Sequence, residues 1–247
     1  MNLQKLKSDG NLKFLKWWDI AVLTVIMLGN ALVQSTMSYF SIEDRVIGNN
    51  VEFSARDNIF AIVLEIALLL VAFLYLRLRN FDFSQWKMKL SFKAIVCGIG
   101  MFLLIAVLFD LFFITSNTIL FGNEAAGANE ELDINMIESF CKNFTVSVIP
   151  FAFLNGFYEE IFFLGICLSV EKKWIPEALI YSIIVRYAVH TYQGQISAIC
   201  IGLVLGLTFF ILYRRSKTKN LIPFFIAHAI GDVFGVGIMA YIASLIS

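Results

Sequence analysis

Seven apolar runs separated by polar stretches set the layout of this chain, at about 17–40, 57–76, 94–121, 144–170, 175–192, 195–213 and 222–245. Each approaches the length a helix needs to cross the roughly 30 Å of bilayer hydrocarbon. The pattern predicts an all-α protein, a polytopic membrane helical bundle of about seven transmembrane helices. No internal repeat, low-complexity tract or linker marks a second domain. Residues 1–143 read as N-terminal spans with an outer loop, and 144–247 as a C-terminal helical region continuous with them.

The polar stretches alternate in charge. Lysine and arginine number four in the N-terminal tail (Lys5, Lys7, Lys13, Lys16), five in 77–93, two in 171–174 and four in 214–220, fifteen of the nineteen in the chain. The opposite face carries Arg45, Arg56 and Lys142, with most of the acids in 41–57 and in the Glu124–Glu138 loop. By the positive-inside rule the N-terminus is cytoplasmic and the C-terminus outside, in a plasma membrane of bacterial type. The first run follows lysines and exceeds a signal-peptide core, so it reads as a retained anchor. Asn80–Lys93 mixes aromatics with lysines and reads as an interfacial helix on the inner leaflet. Residues 122–142 are acidic and read as an exposed outer loop.

Composition sharpens this picture. The chain is 59% hydrophobic with 25 phenylalanines, more apolar surface than a soluble domain of 247 residues can hide. Net charge is zero, which argues against nucleic acid as a partner. The four cysteines (Cys97, Cys141, Cys167, Cys200) have no CxxC or metal-site spacing and read as small packing residues. Gly202 and Gly206 form a GxxxG pair, the pattern of a close helix contact.

The costliest side chains to place are Glu159 and Glu160, adjacent carboxylates inside the fourth run. An acid at mid-membrane depth costs kcal/mol, and a neighbouring like charge raises the cost, so such groups are generally functional and partnered. Both histidines of the chain, His190 and His228, also lie in apolar runs, as do Arg186 and Asp232. His228 and Asp232 share a helix face at i, i+4 spacing, and so do Arg186 and His190. Counted from the basic face, Glu159 lies about 18 Å deep, His190 roughly 24 Å and His228 on the order of 10–12 Å, differences that helix tilt can close. Glu and His are the groups that activate a water and move its proton, while a second His and a neighbouring polar group can hold an oxyanion. Taken singly, such groups are more often helix–helix hydrogen-bond partners. Glu65 and Asp110 read as structural or accessory charges, able to pair with Arg186 or line a cavity. Glu177, after Pro176, reads as a first-turn acid favoured by the helix dipole.

In order and spacing, Glu159-Glu160-Ile-Phe-Phe-Leu164, Arg186-Tyr-Ala-Val-His190 and His228-Ala-Ile-Gly-Asp232 resemble the motifs EExxxR, FxxxH and HxxxN of the CPBP family. These are the type II CAAX prenyl endopeptidases and bacteriocin-processing (Abi) membrane proteases, and the resemblance covers about 144–240. It implies an intramembrane endopeptidase with Glu159 as general base, His190 assisting, and His228 with Asp232 placing the substrate carbonyl. Glu160 would be the electrostatic partner of an arginine. Two departures stand out. Leu164 replaces the arginine and Arg186 the phenylalanine, so the first two motifs have exchanged residues. In antiparallel neighbours both positions lie one turn below the catalytic layer, which predicts that Arg186 supplies the charge from the next helix. Asp232 replaces an amide, exchanging a donor for an acceptor unless protonated.

The resemblance implies a peptide or membrane-anchored substrate, CAAX-like or a bacterial peptide precursor, cut near the inner leaflet from a cavity reached from the cytoplasm or laterally. No HExxH is present and the candidate ligands come from three helices, which favours a metal-independent mechanism without cofactor. A divalent ion such as zinc, held by two His and a Glu, is the alternative. The competing functions are a non-catalytic scaffold that regulates a membrane partner or confers bacteriocin self-immunity, and a small transporter or proton relay. The last is weakened by the lack of a repeat or a discontinuous helix pair.

Overall fold

A computed structural model describes residues 12–41, 44–46, 54–122 and 146–235. The acidic outer loop with Cys141 and Lys142, and the end of the seventh run, lie outside the described residues. Helices account for every apolar run: α1 (Trp17–Ser41), α2 (Ala55–Leu78), α3 (Phe92–Phe121), α4 (Val148–Ile166), α5 (Ile175–Val189), α6 (Gln195–Arg215) and α7 (Ile222–Phe234). Five of them, α1 to α4 and α6, are long and apolar enough to cross a membrane. The chain is an integral membrane protein of the all-α class. Helices suit lipid because each pairs its own backbone groups.

Local sequence sets the helix starts. Ser54 and Asp57 form a reciprocal capping box at α2, and the Ser91 side chain accepts from Ala94 N–H at α3. Pro176 and Pro223 stand in the first turns of α5 and α7, where no N–H is needed. Glu177 is the acid in α5's first turn.

Two expectations are corrected. Asn80–Lys93 is no interfacial helix: before α3 begins at Phe92 it holds a single 3-10 turn, Phe83–Gln85. Phe81 bridges to Leu12 and Lys87 to Asn220, so the backbone spends its hydrogen bonds on neighbouring segments. Phe81 and Trp86 turn inward to pack against each other, and Trp86 Nε1–H donates to Ser169. The fifth run is shorter than 175–192, because α5 ends at Val189 and the chain turns through a 3-10 segment, Thr191–Gln193. Its 15 residues rise about 22 Å. Of the cysteines, Cys167 and Cys200 are buried packing residues, whereas Cys97 is exposed.

Helix α7 packs on α3 and α4, α2 packs on α4, α5 packs on α6, and α1 leans on α5 and the 191–193 turn. Gly202 is where α6 meets α5: a Cβ there would stand 2.9 Å from Tyr187 Cβ and 3.1 Å from the Ile183 carbonyl. That is the close contact the GxxxG pair predicts. At the basic face a buried ion pair ties α1 to α2. Arg79 Nε donates to Asp19 Oδ1 at 2.8 Å, Tyr75 O–H donates to the same oxygen at 2.7 Å, and Trp18 lies 4.5 Å from the guanidinium.

Candidate functional site

Three helices, α4, α5 and α7, deliver the polar cluster. Glu159 and Glu160 close the α-helical part of α4, after which the ladder widens to a π turn over Ile161–Ile166. There Cys167 N–H donates to the Phe162 carbonyl, five residues back, at 2.9 Å. Such widened turns concentrate at functional sites. Successive helical residues point about 100° apart, so the two carboxylates meet different neighbours.

Glu160 faces Arg186 of α5. Nη1 and Nη2 donate to Oε1 and Oε2, both at 2.9 Å, in a fork with no exposed surface on the glutamate and 1% on the arginine. The guanidinium also lies 3.9 Å from the centre of the Phe163 ring. A planar cation offering two parallel donors is the strongest match for a carboxylate. The ion pairs of Arg186 are therefore with Glu160 and, at 3.5 Å, Glu159, rather than with Glu65 or Asp110.

Each histidine is oriented through Nδ1. His190, just past the end of α5, donates Nδ1–H to the Arg186 carbonyl at 2.7 Å, which turns Nε2 toward Glu159 Oε1 at 3.6 Å. His228 of α7 donates Nδ1–H to Glu160 Oε1 at 2.7 Å, and its Nε2 stands 4.0 Å from Glu159 Oε2 and 3.5 Å from Asp232 Oδ1. A proton held on Nδ1 by a fixed acceptor defines which nitrogen faces the site. Glu159 Oε2 is buried and has no hydrogen-bond partner among the described residues. All six residues singled out from the sequence meet in one cluster. Glu159, Glu160 and His228 each offer a ligand-type atom within 4.8 Å of the others.

Three neighbours were not assigned to the site. Asn155 Nδ2–H donates to Asp232 Oδ2 at 2.8 Å. Its position, one turn before Glu159 on the same face of an apolar helix, is the signal that could have found it. Tyr158 donates its hydroxyl proton to the Met27 carbonyl, tying α4 to α1. Glu65 lies close enough to Glu159, Asp232 and His228 to couple with their charges, and its Oε2 is buried without a hydrogen-bond partner among the described residues. Gly156 lets α4 approach α7: a Cβ there would lie 2.8 Å from the Phe225 carbonyl and 3.3 Å from His228 Cβ.

Fold and site together define an integral membrane protein with a buried carboxylate–imidazole–guanidinium centre shared by three helices. Residues 142–234 match the family model described as Rce1-like, type II CAAX prenyl endopeptidase Rce1-like, so the resemblance carried by the three motifs holds over the segment that contains them. The matched segment is less than half of the chain and carries all three motifs. No curated protein and no solved structure matches the chain.

Proposed function

We propose that the chain is a glutamate-dependent intramembrane endopeptidase acting on a peptide or membrane-anchored substrate. The observation that carries this reading is Glu159 Oε2, buried without a hydrogen-bond partner among the described residues and facing Nε2 of His228 beside the Arg186 guanidinium, while the other oxygen of the same carboxylate faces Nε2 of His190. Gaps of 3.6 and 4.0 Å are too long for direct hydrogen bonds, and are spans that one water or substrate oxygen bridges. Glu159 takes a proton from such a water, and His190 Nε2 helps orient it. The water oxygen attacks the scissile carbonyl carbon. In its charged form His228 keeps Nδ1–H on Glu160 and turns Nε2–H toward the developing oxyanion. The proton on Glu159 then passes to the leaving amine nitrogen, and the carboxylate is restored.

Glu160 and Arg186 do not react in this scheme. Their fork cancels one of the two adjacent charges, which lets Glu159 remain the free base. The same fork argues against a resident divalent ion. Both Glu160 oxygens are taken, and a cation among Glu159, Glu160 and His228 would stand against the guanidinium. The donor set does not fit a metal.

The test compares peptides released by membranes carrying the wild-type chain, Glu159→Ala or His190→Ala at matched abundance. A peptidase loses specific products in both variants. A scaffold or self-immunity protein keeps its cellular phenotype in Glu159→Ala, and that result would overturn the proposal.

A further inference from the structure

We propose that Tyr192 is a further catalytic residue, its phenolic O–H the second donor to the scissile carbonyl oxygen as that oxygen gains charge. The role rests on the peptidase reading and adds to it a side chain that none of the three motifs contains.

The cluster is short of donors where the reaction needs them. Both Glu159 oxygens and Asp232 Oδ1 are acceptors. His190 gives its Nδ1 proton to the Arg186 carbonyl, which leaves Nε2 of the neutral ring a lone pair. The Nη groups of Arg186 are committed to the two glutamates, and its Nε lies against Gly206 of α6. One Asn155 N–H goes to Asp232, and Asp232 itself stands where the resembled motif has an amide. With Asp232 ionised, Nε2–H of a charged His228 is the donor that the six clustered residues have left. A tetrahedral oxyanion is best met by donors fixed in place before its charge appears.

Tyr192 has such a donor. It lies two residues past His190, in the 3-10 turn Thr191–Gln193, with its ring nearly parallel to the imidazole, 25° away, and the ring centres 6.3 Å apart. The hydroxyl is close enough to Glu159 and Asp232 to couple with both charges. Gln193 Nε2–H donates to the phenol oxygen at 2.7 Å. A hydroxyl that accepts in this way keeps its own proton for another partner. No acceptor among the described residues takes it. The contrast with tyrosines that brace the bundle is direct: Tyr158 spends its proton on the Met27 carbonyl, and Tyr75 spends its proton on Asp19. A phenol is also a neutral donor, so it adds no charge to a cluster already crowded with it.

The turn that carries Tyr192 is fixed from α1. Tyr192 N–H donates to Ser35 Oγ at 3.1 Å, Ser35 meets Thr191 Oγ1 at 2.9 Å, and Thr191 Oγ1–H donates to the Ala188 carbonyl at 3.1 Å. Because Thr191 gives its proton to Ala188, Ser35 must be the donor between the two hydroxyls, and the whole chain of bonds runs one way. Ser35 is 3% exposed, so water does not compete for these bonds. Within the turn, Gln193 N–H closes on the His190 carbonyl and Gly194 N–H on that of Thr191, both at 3.0 Å. A backbone held at this many points presents the phenol without reorganisation when the oxyanion forms.

The test compares Tyr192→Phe, which removes one oxygen and keeps the ring, with the wild-type chain and Glu159→Ala in membranes at matched abundance. Losing one oxyanion donor costs about 10²–10³-fold in turnover, so Tyr192→Phe should slow release of the Glu159-dependent peptides by about tenfold or more. A smaller loss, with Glu159→Ala inactive, would overturn the inference and leave the peptidase reading standing. Unchanged release in both variants would defeat that reading and this role with it. A ring-fluorinated tyrosine at position 192 keeps the O–H and should retain release. Its fluorine resonance should move on Glu159→Gln, whereas the same label at Tyr75, which faces Asp19, should not respond. An unmoved resonance at 192 would also overturn the inference, whether or not Tyr192→Phe inserts and folds.

Discussion

Removing the Arg186 guanidinium should be among the most damaging single changes in the chain. Arg186→Met keeps the length of the stem and removes the two 2.9 Å bonds to Glu160, the 3.5 Å approach to Glu159 and the stacking on Phe163. Glu160 is fully buried, so its carboxylate would keep only His228 as a partner. Breaking a buried pair by deleting one member costs about 3–5 kcal/mol, chiefly from the charge left behind. Removing both charges costs much less, because no orphan remains. Arg186→Met with Glu160→Gln should therefore recover a large part of the loss, with a coupling of about 2 kcal/mol or more. Reversible unfolding in mixed micelles, followed by the denaturant dependence of helix content, measures all four corners of the cycle. The reasoning is refuted if Arg186→Met costs under about 1 kcal/mol, the scale of an exposed pair, or if the two losses simply add. Activity gives a second readout. Leu164→Arg returns a cation to α4 one turn past Glu160, and in an Arg186→Leu background it should restore peptide release. Failure to restore in a folded, inserted protein would count against the exchange.

The remaining predictions are narrower. Gly156→Ala should cost about 1–3 kcal/mol by pushing α4 off α7, whereas Gly100→Ala, with nothing within 4 Å of its Cβ, should cost nothing measurable in the same unfolding assay. Asp19→Asn should destabilise by about 1–3 kcal/mol by removing the charged acceptor of two buried hydrogen bonds, from Arg79 Nε and Tyr75 O–H, with no change in peptide release per folded molecule. Peptide release should be unaffected by a strong divalent-metal chelator, and inhibition reversed by added zinc would refute the metal-independent reading. Asn155→Ala should lower turnover more than binding, because it frees Asp232 to swing, and equal losses in Asn155→Ala and Asn155→Asp would point to the amide N–H as the element that matters.

The sequence made the bundle legible because span-forming helices depend on length and apolar content, which are local properties. The four-residue spacings between Arg186 and His190 and between His228 and Asp232 were legible for the same reason. Pairing across helices was harder. Nothing local says that Arg79 at the end of α2 locks onto Asp19 at the start of α1, since each alone looks like an ordinary boundary charge. Asn80–Lys93 misled because its aromatic and lysine mixture fits an interfacial helix, while its hydrogen bonds depend on Leu12 and Asn220, far away in the chain. Glu65 was visible as a buried acid, yet its place beside the site depends on α2 packing against α4.

The two motif departures have one physical reading. The cluster has a cation against Glu160 and an amide near the end of the His228 face, each carried by a neighbouring helix. Here the cation reaches Glu160 from α5 instead of α4. The amide reaches position 232 from α4, where Asn155 donates to Asp232, instead of from α7 itself. Both exchanges are between helices already in contact at the cluster, and both keep donors facing acceptors. A pattern defined by letters along one helix scores each change as a loss, whereas Arg186 keeps a cation against Glu160 and Asn155 keeps an amide beside position 232, where Asp232 adds a carboxylate. Substitutions that restore the letters one at a time should therefore be harmful. Phe at 186 without Arg at 164 strands Glu160, and Asn at 232 beside Asn155 places two amides where the structure has a donor and an acceptor.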